Sequence, residues 1–237
     1  MGETVTFPSN GSTASGYLAT PSSGSGPGVL VMQEWWGLVP QVEGVVDRLA
    51  GEGFVGLAPD LFHGEKVDYT HGGASHTEMD QAGKLMDELP PDRAGRDMKA
   101  AVDFLLGYQG VRGDKIGVVG FCMGGALALI VGAMHGDRIG VVVPFYGAPL
   151  GPMEPDWSGL TAPVSGHYAT DDGFFGADAV RGLVEKLEGM GKDITVTFYP
   201  GTRHGFANEE NPLGNWNEDA AKQAWSRAVA FLHEKLG

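Results

Sequence analysis

Gly120-Phe121-Cys122-Met123-Gly124-Gly125 constrains this chain more than any other stretch, because of what flanks it. The apolar run Ile116-Gly117-Val118-Val119 precedes it, and the small, apolar Ala126–Met134 follows. That order predicts a short buried strand, a tight turn and then a buried helix. The turn has the form G-x-C-x-G, a nucleophile elbow with sulfur in place of oxygen. Glycines two residues either side of Cys122 permit a sharp backbone turn without Cβ clashes. Such a turn presents the central side chain at the carboxyl edge of a parallel sheet, on a helix N-terminus. The positive end of the helix dipole there favours a thiolate. A lone cysteine in an apolar segment is more often a small buried hydrophobe. The choice therefore depends on whether the rest of the chain supplies a base, an acid and an oxyanion site.

The 237 residues fit one domain with a large core. Strands are expected at 3–7, 15–20, 28–33, 54–60, 116–119, 139–146, 163–168 and 193–199. Helices are expected at 40–51, 77–89, 92–106, 126–134, 177–189 and 217–236. The first two strands, joined by Asn10-Gly11, read as a hairpin. The later alternation of strand and helix means an α/β fold: a mostly parallel sheet with helices on both faces and the hairpin as its antiparallel edge. No linker divides the chain, so residues 1–237 are read as a single domain.

Sixteen basic and thirty acidic side chains give a net charge of −14, which argues against nucleic acid and anionic membranes as partners. No run is long enough to span a bilayer, and the N-terminus lacks the features of a signal peptide. A single cysteine excludes an internal disulfide and fits a cytoplasmic location. A monomer is expected, with a dimer left open.

A thiol nucleophile needs a base that later returns the proton. Of seven histidines, His204 stands in a glycine-flanked loop after the last predicted strand, at the same carboxyl edge as Cys122. His63, His71 and His76 share a long loop, but their spacing matches no common ligand set, so no metal is expected. His135 and His233 are assigned to the surface. The histidine needs a carboxylate to orient it. Asp171 and Asp172 follow the strand at 163–168, and the spacing favours Asp172 turned inward with Asp171 in solvent. Both could instead cap the next helix. The order Cys122, Asp172, His204 is the nucleophile–acid–histidine order of α/β-hydrolases. The oxyanion hole is expected from the backbone N–H groups of Met123 and Trp35, with the indoles of Trp35 and Trp36 walling a cleft. These indoles could equally pack over the sheet edge.

Gln33-Glu34 with Gly37, Ala58-Pro59-Asp60-Leu61, the Cys122 elbow, Phe145-Tyr146-Gly147, Asp172 and His204-Gly205-Phe206 stand in order over nearly the whole chain. In this set the sequence resembles the dienelactone hydrolase family (carboxymethylenebutenolidases) of the α/β-hydrolase fold. The resemblance implies a Cys-His-Asp triad, a lactone or ester substrate and no cofactor. It implies substrate-facing positions at Tyr146, Phe206 and Asn208. It also gives Glu34 a contact with the resting thiol and a part in switching it to thiolate. Family members grip a substrate carboxylate with two arginines. Here one of these falls on Asn208 and the other near Met79, and no arginine lies between Arg48 and Arg93. Arg203 could substitute only by turning inward. The expectation is an acyl-cysteine hydrolase tolerant of neutral short-chain esters. The alternatives are a ligand-binding protein on the same fold, or an acyl transferase or thioesterase using the same residues.

Overall fold

The computed structural model describes residues 2–9 and 11–237. Its strands are β1 (Glu3–Ser9), β2 (Ser12–Ala19), β3 (Gly26–Met32), β4 (Val55–Pro59), β5 (Val111–Phe121), β6 (Ile139–Phe145), β7 (Val164–Ala169) and β8 (Ile194–Tyr199). They form one eight-stranded sheet in the order β1-β2-β4-β3-β5-β6-β7-β8. β3 to β8 run parallel, while β1 pairs antiparallel with β2 and β2 antiparallel with β4. Asn10, half of the expected hairpin turn, lies outside the described residues. Its neighbour Gly11 has a φ of 83°. β4 is buried at every position and β6 at all but one, as strands covered on both faces must be.

The helices are α1 (Pro40–Gly51), α2 (His76–Asp87), α3 (Pro91–Gly107), α4 (Met123–Met134), α5 (Ala177–Gly189) and α6 (Glu218–Leu236). Two hydrophobic layers result. Met98, Leu105, Leu129, Leu183 and Leu187 of α3, α4 and α5 pack on one face of the sheet. Val42, Val46, Leu49, Trp225 and Leu232 of α1 and α6 pack on the other. The helix ends carry the chemistry expected of them. Pro40 opens α1, Ser75 and Glu78 form a capping box on α2, and the Asn217 side chain accepts from Ala220 N at 3.0 Å to start α6.

Several boundaries differ from the sequence reading, and two of them bear on the site. β5 begins at Val111 rather than 116, because Val111 and Arg112 pair with the start of β3 even though the next residues are polar and exposed. α4 begins at Met123 rather than 126, because Gly124 and Gly125 form its first turn against neighbouring backbone. The first of these extensions lengthens the central strand. The second places Cys122 directly on a helix N-terminus.

Candidate active site

Cys122 directly follows the central strand β5 and caps α4 with a φ of 56°, a left-handed value that non-glycine residues seldom adopt. The surrounding packing enforces it. Cys122 N–H donates to Phe145 O at 3.0 Å, and Cys122 O accepts from Gly125 N at 2.9 Å. A Cβ on Gly124 would run into the carbonyls of Met32 and Gln33, and one on Gly147 into the carbonyl of Cys122. The thiol is half-buried and makes no capping bond to the helix it starts.

The turn after β7 sends Asp172 inward, leaving Asp171 exposed. Asp172 Oδ1 accepts from the N–H groups of Phe174 at 2.8 Å and Phe175 at 2.9 Å. Its Oδ2 lies 2.9 Å from His204 Nδ1. One oxygen thus anchors the turn while the other orients the imidazole. His204 follows β8, as the sequence placement predicts, and is buried under Phe174 and Phe175 at ring distances of 4.7 and 5.7 Å. Its carbonyl accepts from Asn215 Nδ2 at 3.0 Å. Among the described residues the buried Nε2 has no hydrogen-bond partner. Burial opposes a charged ring, but the electrostatic pull of Cys122 and the hydrogen bond to Asp172 outweigh it and raise His204 to about 10.

A small cavity of about 10 Å³ adjoins Cys122 and His204, with Trp35, Asn208, Pro212 and Leu213 in its walls. No lysine or arginine lines it among the described residues. Among the described residues the N–H groups of Trp35 and Met123 donate to no backbone acceptor, and Met123, as the first residue of α4, has none within the helix.

Glu34 is buried, and both its oxygens are occupied. Tyr146 Oη donates to Oε1 at 3.1 Å and Asn208 Nδ2 donates to Oε2 at 2.9 Å. Burial pushes its carboxyl up, against the opposing pull of His204, Asn208 and Tyr146. Among the described residues Glu34 makes no hydrogen bond to the thiol, although both line the same cavity, and Tyr146 and Asn208 hold its carboxyl instead. Asn208 is fully engaged as well, its Oδ1 accepting from Glu210 N at 3.1 Å, so it lines the cavity as a clamp on Glu34.

Three expected substrate contacts, Tyr146, Phe206 and Arg203, take other places, while Trp36 stands at the cavity as expected. Tyr146 and Phe206 are wholly buried, packed edge-on at 5.5 Å behind His204, and neither lines the cavity. Trp36 borders the cavity, but its ring is committed to the core against Tyr69 at 4.7 Å. Arg203 is exposed and points to no part of the cavity lining. The alternation of the strand-end loop turns His204 inward and its neighbour outward. His63 pairs with Asp97 at 2.8 Å, and among the described residues no group of three metal-binding side chains gathers.

Two features escape the sequence reading. Phe174 stands 58% exposed over His204 and edge-on to Trp35 at 6.0 Å. Tyr69, in the loop before α2, donates to Glu210 at 2.5 Å, and Glu210 in turn touches the Asn208 clamp. The position of Phe174, two residues past Asp172, was a signal available in the sequence. The Tyr69–Glu210 pair spans 141 residues and left none.

A nucleophile elbow, a buried His–Asp pair and free N–H groups at the carboxyl edge of a mostly parallel sheet define an α/β-hydrolase that cleaves esters or lactones. Comparison with known proteins narrows the class: the sequence model of the dienelactone hydrolase family matches residues 14–236, and the chain belongs to that family. It is 37% identical over 242 residues to the protein usf of Aquifex pyrophilus, covering all of both chains. It is 28% identical over 216 residues to carboxymethylenebutenolidase 1 of Cupriavidus pinatubonensis, covering 91% of this chain and 89% of that one. The crystal structure of a dienelactone hydrolase-like promiscuous phosphotriesterase from metagenomic libraries superposes with a TM-score of 0.83 at 22% identity. That match covers 100% of this chain and 99% of the other and shows a common fold.

Proposed function

We propose that this enzyme hydrolyses neutral short-chain esters or lactones through an acyl-cysteine at Cys122. The observation that carries the reading is the 2.9 Å His204–Asp172 contact beside a cysteine on a strained elbow, next to a cavity without a cation. Cys122 sulfur attacks the carbonyl carbon, and the carbonyl oxygen takes the charge and the N–H groups of Met123 and Trp35. His204, holding the proton of the thiol, passes it from Nε2 to the departing alkoxide as the carbon–oxygen bond breaks. Water then attacks the thioester while Nε2 takes one of its protons, and the carbon–sulfur bond breaks to release the carboxylic acid and leave the sulfur as thiolate beside the imidazolium. Asp172 keeps Nδ1 protonated and the ring in register.

An amide at position 208 and a thioether near position 79 cannot replace two guanidinium forks around a carboxylate. Met79 packs in the layer of α1 and α6, away from the cavity lining. Neutral substrates therefore gain relative to acidic lactones. The lone cysteine supports a cytoplasmic location.

The test is hydrolysis of p-nitrophenyl acetate and of a carboxylated enol-lactone by wild type and Cys122→Ala, with intact-mass detection of the acyl adduct. The expected outcome is activity that favours the neutral ester, an adduct of one acyl group, and loss of both in the variant. Activity that survives in Cys122→Ala would remove the nucleophile assignment. A lactone preferred by orders of magnitude would remove the specificity assignment. Labelling of Cys122 by iodoacetamide without turnover on any ester would make the protein a ligand binder.

A further inference from the structure

A cavity larger than the one at Cys122 lies beside it. A space of about 560 Å³ lies between α1, α6 and the loop 205–216, within the range of sites for small organic ligands. That loop is a partition. Gly205, Asn208, Pro212 and Leu213 face the Cys122 cavity, while Ala207, Glu209, Glu210 and Trp216 face the larger one.

Three features identify what would fit. The walls are aromatic: Trp225 forms the inner side, and Trp216 stands 41% exposed at the rim, costly for an indole with nothing to cover it. Three carboxylates, Glu209, Glu210 and Glu218, face two cations, Arg48 and Lys222. Arg48 pairs with Glu209 at 3.5 Å and Lys222 with Glu218, which leaves Glu210, held by the neutral Tyr69 hydroxyl, as the one carboxylate of the lining not matched by a cation of the lining. Arg48 also shows the binding mode, its guanidinium lying 4.3 Å over the ring of Trp225. The net charge of −14 draws cations to the surface as a whole.

We infer that this cavity is a second binding site, for a planar organic cation, separate from the Cys122 pocket and linked to it through Glu210 and Asn208. The link is a chain of hydrogen bonds. Glu210 N–H donates to Asn208 Oδ1 at 3.1 Å, and Asn208 donates to Glu34 at 2.9 Å. A cation that draws on Glu210 competes with its bond from Tyr69 and shifts the clamp on Glu34 beside the nucleophile.

The site is tested without reference to hydrolysis, by calorimetric titration of benzamidine (a planar amidinium) and benzoate into protein whose Cys122 has been alkylated. Benzamidine is expected to bind saturably one to one, and benzoate to give no saturable heat. Arg48→Ala exposes the Trp225 face and removes a positive charge, so it tightens benzamidine about threefold. Trp216→Ala weakens it about tenfold. Both side chains are substantially exposed, and circular dichroism checks that the variants fold. Absence of saturable binding, equal binding of benzoate, weaker binding in Arg48→Ala, or binding lost on alkylation of Cys122 would each overturn the site. The link is read from the iodoacetamide alkylation rate of Cys122, expected to change about twofold at saturating benzamidine and to stop responding in Glu210→Gln. A rate that benzamidine does not move overturns the link.

Discussion

Cys122 carries two burdens, a backbone in the left-handed region and a reactive thiol, and they separate by substitution. Glycine relieves the φ of 56° and alanine does not. Cys122→Gly is therefore expected to be more stable than Cys122→Ala by about 1 kcal/mol in urea denaturation, with both inactive. The reverse order would mean that the turn holds no strain. Asp172→Asn keeps an oxygen for the Phe174 and Phe175 N–H groups but loses the charge that orients His204. We expect an intact fold by circular dichroism and a kcat reduced about a thousandfold. An activity within a few-fold of wild type would reassign the acid. His204 also makes stability depend on pH. A ring raised from 6.5 to about 10 contributes stability in full below pH 6.5, and that contribution is lost as pH rises through about 10. Wild type should thus lose Tm between pH 7 and 10 more steeply than Cys122→Ala, which lacks the Cys122 side chain that helps to raise His204. Parallel Tm–pH curves would contradict it.

Along the chain, elements with a strong local pattern were legible. α1 is read at 40–51 and found at Pro40–Gly51, since its apolar spacing, Pro40 and closing glycine act within the helix itself. Asp172 could be picked over Asp171 because the turn alternates its side chains locally. β5 was read too short, because the polar Arg112–Lys115 stretch extends from a strand start that only pairing with β3 makes visible. The first turn of α4 was read as part of the elbow, because its glycines are there for backbone contacts with Met32, Gln33 and Phe145. Gly124→Ala tests that packing. Its Cβ meets two carbonyls that cannot move aside, and the expected loss is about 2–3 kcal/mol in urea denaturation. An unchanged midpoint would show that α4 can shift to make room.

For the molecule as a whole, charge and topology act over distances that no local pattern records. With a net charge of −14 and no cation at the Cys122 cavity, an anionic ester meets repulsion at long range and no compensation at contact. Its kcat/KM should rise severalfold from low to physiological ionic strength, while that of a neutral ester stays level; a fall for the anionic ester would point to an unseen cationic patch. Composition, strand–helix alternation and the Cys122–Asp172–His204 order were readable because each depends on residue type and on positions near one another in the chain. The sites of the other groups were not. Tyr146 and Phe206 support rather than line the cavity, Arg203 faces water, and Asn208 clamps Glu34 where the thiol was expected. So too the two cavities and the loop that divides them. Which face of a loop is inside, and which hydrogen bond a buried carboxylate accepts, are settled by competition among groups far apart in sequence that meet only when the sheet and its helices close.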